Sequence, residues 1–557
     1  MLALQLPNSP FARFTSLELG VLTNVEVSNP FDPAQIDLVV HFVSPSGKTL
    51  TTPAFYYQDY DPASLQPKGD PGWKARFTPT EDGPWTAQAE LKTPDLQLQS
   101  EVAPFTVSPS TAHGFVRVNP ANPRYLAFDD GAPFFPIGIN LGWAKSDALK
   151  DYQHWLDALT QNGGNAGRVW MASWSFGIEW SDTGLGNYTA RLKQAWLLDQ
   201  IFRLAEARDF YFILVLLNHG AFSTTVNPEW DGNPYNAAHG GPCAQPECFA
   251  ADPQAKEFFQ RRLRYIIARW GYSPNLLAWE WWNEVDLTPI PASTLQPWIK
   301  EMTADLRRLD VNQHLTTISY AGGNPPAIWN MPEIDLPQRH LYTTQDLGAY
   351  GPKFYQETAS ALDQPKPILL GEFGYSTGIE DTTTSEHEGI HLHNGLWGST
   401  FSGFAASGMY WWWDTYVDPL NLWPHFKGLS QFIRGEDLAG LSPVKAHVKP
   451  HLAGAVALMN QTRALIWIKD DDYDTLSVTI VRNVKPKEEQ GTVSWDFLSD
   501  LTLTLSGLDD GGYRAHWYSP TTAEFLSEET TQVQNGELTL AVPDFQRDLA
   551  VKVEKLP

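Results

Sequence analysis

Cysteine is nearly absent: a chain of 557 residues carries two, Cys243 and Cys248. A disulfide-stapled framework is therefore excluded, and stability must come from apolar cores. The pair sits in Gly241-Pro242-Cys243-Ala244-Gln245-Pro246-Glu247-Cys248. Read alone, it is either a small disulfide closing a loop or two free thiols. A metal site would need partners such as His239, and nothing else supports one. Positive charge is also scarce. Lys and Arg number 39 against 64 Asp and Glu, for a net charge of −25. This balance argues against nucleic acid and against an anionic membrane surface as partners. No stretch approaches the roughly 20 apolar residues of a membrane span. The start, Met1-Leu2-Ala3-Leu4-Gln5-Leu6-Pro7, lacks the basic and long apolar regions of an export signal. The expectation is a cytoplasmic protein, or a secreted one whose signal is absent from this chain.

Tryptophan, by contrast, is abundant, with 23 residues. Trp fills cores, but at strand ends and in long loops its flat face and N–H donor suit ligand pockets. Many Trp here fall at such places.

The length calls for several domains. Residues 1–112 read as an N-terminal β-sandwich of immunoglobulin-like type. Leu38–Val43 and Trp73–Pro79 are strand-like, and turns such as Ser46-Gly47 and Asp82-Gly83-Pro84 punctuate them. A connector runs from Gly114 to Asp130. Residues 113–442 are taken as the barrel domain, in which strands and helices alternate from about Pro133 to Gly435. Strand-like runs are Phe134–Asn140, Asn165–Met171, Phe210–Leu217, Leu276–Asn283, Leu315–Ser319, Arg339–Thr343, Ile368–Gly371 and Gly408–Trp413. Amphipathic helices are expected over Tyr152–Gln161, Ala190–Ala207, Pro253–Trp270, Leu295–Leu309 and Glu386–Ala406. The link between the fifth and sixth strands is short and weakly helical. Eight such strands predict a (β/α)8 TIM barrel. The first strand ends in Gly138-Ile139-Asn140-Leu141-Gly142-Trp143, without the Gly-rich phosphate turn of a doubly wound sheet. Residues 443–557 return to all-β, with strand-like Ala464–Ile468, Leu476–Val481 and Leu549–Val553. The fold class is thus multidomain: a central barrel flanked by two all-β sandwich-like domains.

Two apolar runs end on glutamate. One is Leu276-Leu277-Ala278-Trp279-Glu280-Trp281-Trp282-Asn283-Glu284; the other is Pro367-Ile368-Leu369-Leu370-Gly371-Glu372-Phe373-Gly374. Packing does not explain a carboxylate there, because ionised Glu is rarely buried unpaired. In a barrel the C-terminal strand ends face the active site. The count places Glu284 after the fourth strand and Glu372 on the seventh, looking at each other across the mouth. One carboxylic acid and one carboxylate so placed can protonate a leaving oxygen and attack an acetal carbon.

Supporting residues recur at this face. Arg168 interrupts an apolar strand and needs an anion, with Glu280 and Glu372 as candidates. Pairing would keep Glu372 ionised, and Glu284 is expected to be raised by its neighbours. Glu280 shares strand parity with Glu284 and is expected to anchor Arg168, or the two form a purely structural ion pair. Asn283 is placed to donate to a sugar 2-hydroxyl. His219 ends the third strand, and His340 and Tyr342 the sixth. Among Trp411, Trp412 and Trp413 one is expected to floor the site, taken as Trp412, with the others in the core. Asn140 and Trp143 are further candidates after the first strand. Long segments at 173–187 and 220–251 should shape a cleft.

Together these residues resemble clan A of the glycoside hydrolases, most closely glycoside hydrolase family 5. The resemblance rests on Arg168, His219, Asn283-Glu284, His340-Leu341-Tyr342, Glu372 and the eighth-strand Trp, in that order. It implies Glu284 as acid/base and Glu372 as nucleophile of a retaining enzyme acting on a β-linked carbohydrate of glucan or mannan type, without a cofactor. Two departures stand out: Val285 replaces the usual Pro, and Gly220 replaces a commonly paired histidine. Trp73 to Trp85 resembles the sandwich preceding some bacterial barrel glycosidases, and Tyr513–Pro520 with Asp548–Val551 resembles the β-domain attached to related barrels. Rival readings are a carbohydrate-binding protein on an inactive barrel and a metal-dependent lyase or aldolase. No Lys ends a strand for Schiff-base chemistry, and no ligand set has metal spacing. Oligomeric state is left open.

Overall fold

The computed structural model describes residues 1–7, 11–376, 386–475, 477 and 495–557. The expected strand Leu476–Val481 lies outside them, apart from Ser477.

The N-terminal strands form two facing antiparallel layers. Leu2–Gln5, Leu17–Thr23, Pro67–Phe77 and Phe55–Tyr60 make one sheet. The other is built around Asp37–Val43, Gly83–Thr93 and Ala103–Ser108. Strict alternation in Asp37–Val43 sends Leu38, Val40 and Phe42 inward, where Phe42 stacks on Phe77 at 4.0 Å. The layer carrying Arg76 lies on the central domain. Arg76 donates to Asp199 at 2.8 and 3.0 Å, and Arg269 donates to the same carboxylate at 3.0 and 2.7 Å. The three charges are fully buried, so this sandwich is bolted to the barrel helices Leu192–Glu206 and Pro253–Trp270.

The expected connector is a small antiparallel sheet of Val116–Val118, Leu126–Phe128 and Pro133–Phe134. Val116, Leu126, Phe128 and Phe134 pack with Ile213, Leu277, Leu315, Leu336 and Leu369, closing the floor of the barrel. Pro136 separates Phe134 from the barrel, so the first barrel strand is shorter than expected.

Barrel strands are labelled β1 (Gly138–Asn140), β2 (Ala166–Trp170), β3 (Tyr211–Val215), β4 (Leu276–Glu280), β5 (Leu315–Tyr320), β6 (Leu336–Tyr342) and β7 (Leu369–Gly374). All pair in parallel in sequence order. The expected eighth strand, Gly408–Trp413, is reduced to bridges of Tyr410 with Ile139 and Phe373. Met409 and Trp411 N–H donate to β7 carbonyls, and Tyr410 C=O accepts from Asn140 N–H, so the ring still closes. The backbone then winds into a π-turn over Trp413–Val417, which cuts the strand short. The helix expected from Glu386 starts at Ile390. Glu386 instead accepts from the N–H groups of Glu388, Gly389 and Ile390 ahead of it. Among the described residues no helix is long and apolar enough to cross a membrane.

The described C-terminal residues form one eight-stranded antiparallel sheet around Ala457, Ile466, Tyr513, Trp517 and Val551. Its Trp467 stacks on Trp397 of the barrel helix Ile390–Ser402. Asp548 accepts from Trp467 Nε1 at 2.8 Å and lies 2.7 Å from His393 Nε2. Both outer domains therefore brace the barrel through buried polar contacts.

Candidate active site

Arg168 sits at the centre of the barrel mouth and is wholly buried. Its guanidinium donates through Nε and Nη2 to Glu280 at 3.0 and 2.8 Å, and through Nη1 to Glu372 Oε1 at 2.6 Å. Both candidate anions are therefore its partners at once. Nη1 also donates to Asn140 Oδ1 at 2.7 Å and Nη2 to Asn283 Oδ1 at 2.8 Å. Burial this complete places Arg168 beneath the site rather than on a substrate. The expected ligand contact of Asn140 is likewise corrected. Asn140 is fully buried, and its amide N–H groups point to the carbonyls of Gly371, Met409 and Tyr410. It holds Arg168 in place.

Glu284 lies just past β4 in left-handed backbone, φ 49°. This turn lifts its carboxyl out of the strand direction, and Ser319 Oγ fixes it by accepting from Glu284 N–H at 2.9 Å. His340 Nδ1 lies 2.8 Å from Glu284 Oε1 and 3.3 Å from Glu372 Oε2. One carboxylate oxygen of each glutamate and a His340 nitrogen all lie within 4.8 Å of one another. Tyr342 OH donates to Glu372 Oε2 at 2.6 Å, while its ring stays 37% exposed. His219 Nδ1 lies 3.5 Å from Glu284 Oε2. Asn283 Nδ2 donates to that same nitrogen at 3.3 Å. Asn283 therefore has one amide proton committed inside the protein, leaving at most the other for a ligand.

Burial pushes the Glu284 carboxyl up to about 7, with Asp286 adding to the rise and Arg168, and His219 whenever it carries charge, opposing it. The cause is desolvation first, not the neighbours expected from sequence. Burial also raises Glu372 above the ordinary carboxylate range, against the pull of His340, Arg168 and Tyr342. Arg168 thus limits the rise and does not abolish it. Burial lowers His340 to about 4. A neutral His340 with its proton on Nδ1 can donate to both carboxyl groups. The Glu284, His340 and Glu372 trio is also compact enough to hold a metal ion. A cation there would be repelled by the buried Arg168 guanidinium, which donates to Glu372 at 2.6 Å, and Glu372 already has both oxygens engaged.

The aromatic wall divides in two. Trp413 is buried as expected, but Trp411 is only partly so. Trp411 joins Trp143, Trp170 and Trp174 in edge-on and tilted contacts of 5.3–5.6 Å, and Trp174 is 51% exposed. Trp412 is separate. It lies 6.3 Å from the Tyr342 ring and donates to the Tyr375 carbonyl at 3.3 Å. That puts it on the Glu372 side of the mouth.

Sequence reasoning missed Ser319, Asn227 and Glu229. Ser319 ends an expected strand, which was its only signal. Asn227 and Glu229 lie in the long segment after β3, which folds back over the site. Glu229 bridges Ser173 Oγ at 3.1 Å and Asn218 Nδ2 at 3.2 Å. The departure at Gly220 also gains a cause. A Cβ there would meet Asn227 O at 2.7 Å, so the returning loop fills the space of a side chain. In the same segment Cys243 and Cys248 are disulfide-bonded, Cα atoms 5.4 Å apart.

A closed parallel barrel with two buried carboxyl groups at its C-terminal mouth defines the class: this is a glycoside hydrolase. The chain belongs to the cellulase family, glycosyl hydrolase family 5, which it matches over residues 129–408. Residues 11–92 match a domain of unknown function, DUF5060. Mannan endo-1,4-beta-mannosidase 2 of Arabidopsis thaliana is 24% identical over 311 residues, spanning 46% of this chain and 69% of that one. Mannan endo-1,4-beta-mannosidase A of Podospora anserina is 25% identical over 269 residues, 43% of this chain and 65% of that one. A solved Bacteroides vulgatus protein with a provisional assignment as a glycoside hydrolase superposes with a TM-score of 0.66 at 15% identity, covering 98% of this chain and 99% of its own. That likeness extends the shared fold to the flanking domains.

Proposed function

We propose that this glycoside hydrolase is a retaining enzyme cleaving β-linked polysaccharide of mannan type, with Glu284 as acid/base and Glu372 as nucleophile. One observation carries the mechanism: carboxylate oxygens of the two glutamates lie within 4.8 Å, both in reach of one His340 nitrogen. Retaining chemistry uses carboxyl groups about 5–5.5 Å apart, whereas inversion needs about 6.5–9.5 Å to admit a water. Glu284, protonated near neutrality, gives its proton to the glycosidic oxygen as Glu372 attacks the anomeric carbon. The aglycone leaves with that proton, and a glycosyl ester of Glu372 remains. Glu284 then takes a proton from water, which attacks the same carbon and frees Glu372. Tyr342 and Arg168 stabilise the departing Glu372 carboxylate. Trp412 and Tyr342 form one wall for the sugar, and the exposed Trp174 with Trp143 offers stacking surface farther out.

The relatives named as mannan endo-β-mannosidases support mannan over glucan. The Cys243–Cys248 bond supports secretion to an oxidising compartment. The test is hydrolysis of soluble mannans, glucans and xylans by wild type beside Glu372→Ala. Mannan cleavage lost in the folded variant is expected. Cleavage of glucan alone would overturn the substrate assignment, and undiminished activity of the variant would overturn the mechanism.

A further inference from the structure

We propose that Asn227 is a positioning residue that, together with Asn283, fixes the tautomer of His219 and so turns the Nδ1 lone pair toward Glu284. The inference rests on Glu284 being the acid/base and goes one step beyond it.

The hydrogen bonds leave one consistent assignment. Arg168 has only donors, so Asn283 must turn Oδ1 toward Nη2, at 2.8 Å. Asn283 then presents Nδ2, a donor, to His219 Nδ1 at 3.3 Å. That nitrogen must accept, which puts the ring proton on Nε2. Nε2 lies 3.1 Å from Asn227 Oδ1, an acceptor in the right place. The Nδ1 lone pair therefore confronts Glu284 Oε2 at 3.5 Å. Two lone pairs repel across that gap, and a proton on Oε2 removes the repulsion. Glu284 Oε1 is already engaged by His340 Nδ1 at 2.8 Å, so Oε2 is the free oxygen. The charged groups around this pair are Arg168, Glu280, Glu372 and Asp286, with Glu229 on the returning loop.

The loop is built to hold Asn227 there. Glu229 N–H donates to Gly220 C=O at 2.9 Å, and the Asn227 carbonyl fills the space beside Gly220. Asn227 has φ 46°, a conformation that Asn, Asp and Gly adopt readily. Asn227→Asp and Asn227→Gly therefore both preserve the loop.

The test is the pH dependence of kcat/KM on a soluble β-mannan for wild type and both variants. A carboxylate at 227 stabilises the imidazolium, so Nδ1 gains a proton and donates it to Glu284 Oε2. The alkaline limb should move toward acid by about one pH unit or more in Asn227→Asp, the size expected for an opposite charge within about 4–6 Å. In Asn227→Gly, which removes the acceptor of the Nε2 proton without adding charge, the limb should move the same way by less than in Asn227→Asp, because Asn283 alone then selects the tautomer, while kcat/KM falls. An Asn227→Asp profile that superimposes on wild type would overturn the proposal. So would equal shifts in both variants, which would mark a general loop effect. Glu284→Gln, run alongside, separates the two layers. Intact activity there would remove the acid/base reading itself; lost activity there with an unmoved Asn227→Asp limb would remove only the role of Asn227.

Discussion

His340 Nδ1 stands 2.8 Å from Glu284 and 3.3 Å from Glu372, so a single imidazole nitrogen spans both carboxyl groups. Its ring is buried and held neutral, which keeps positive charge away from Glu284. The charge that does reach the site comes from Arg168, and it is aimed at Glu372. Two carboxyl groups a few ångströms apart are thus given different partners, the asymmetry that the proposed acid/base role of Glu284 and nucleophile role of Glu372 require.

The pH profile follows from this asymmetry. As the proposed acid, Glu284 must be protonated to act, and its carboxyl is raised to about 7. Activity should therefore fall on the alkaline side through about pH 7. As the proposed nucleophile, Glu372 must be ionised, and burial lifts it above the ordinary carboxylate range, so the acid limb should lie above that range. A kcat/KM profile flat from pH 5 to 9 would contradict both assignments.

Stability carries the same signature. A carboxyl raised on folding contributes stability that is fully present below its unfolded value near 4.5 and is lost as pH rises through about 7. Glu284→Gln should therefore be more stable than wild type at pH 8, by up to about 3 kcal/mol, and nearly equal to it at pH 4. Urea unfolding at the two pH values measures the difference.

Tyr342→Phe removes the hydroxyl that donates to Glu372 at 2.6 Å. A hydrogen bond to a charged group is worth about 1.5–3 kcal/mol, so kcat should drop about 10- to 100-fold. The acid limb should rise, since Glu372 loses a partner of its ionised form. The ring is more than one-third exposed, so the melting temperature should change little. Unchanged kcat and acid limb would show that the contact does not serve the reaction.

Asp199 joins the N-terminal sandwich to the barrel and is held well below the usual carboxylate range despite its burial, by Arg269 and Arg76. Asp199→Ala strands the buried Arg269 guanidinium and leaves Arg76 with Glu18 as its one carboxylate partner. The loss should be about 3–5 kcal/mol, seen as a lower calorimetric melting temperature, with the sandwich and barrel unfolding separately. Retained single-transition melting near wild type would show that the sandwich is held by other contacts.

What was legible in the sequence had local signals. Glu284 and Glu372 stood out because charge at the end of an apolar run has no packing explanation, and Arg168 stood out inside a strand for the same reason. Strand periods located β2 to β7. The ends of the barrel ring were read too long, because Pro136 and the turn at Trp413 act on single residues that periodicity averages over. Asn140 was misassigned because a polar residue at a strand end looks alike whether it faces ligand or a buried guanidinium. Asn227 has no signal of its own beyond lying in the long segment after β3. Its proposed role depends on a loop folding back toward Gly220, and the space left by that glycine shows only in three dimensions.

The most direct test of the central claim is the anomeric form of the first product, followed by proton NMR during mannan hydrolysis. A double displacement through Glu372 releases the β-anomer first, with the α-anomer growing in afterwards by mutarotation. Initial release of the α-anomer would mean direct attack by water, and would contradict a nucleophilic Glu372 within 4.8 Å of Glu284.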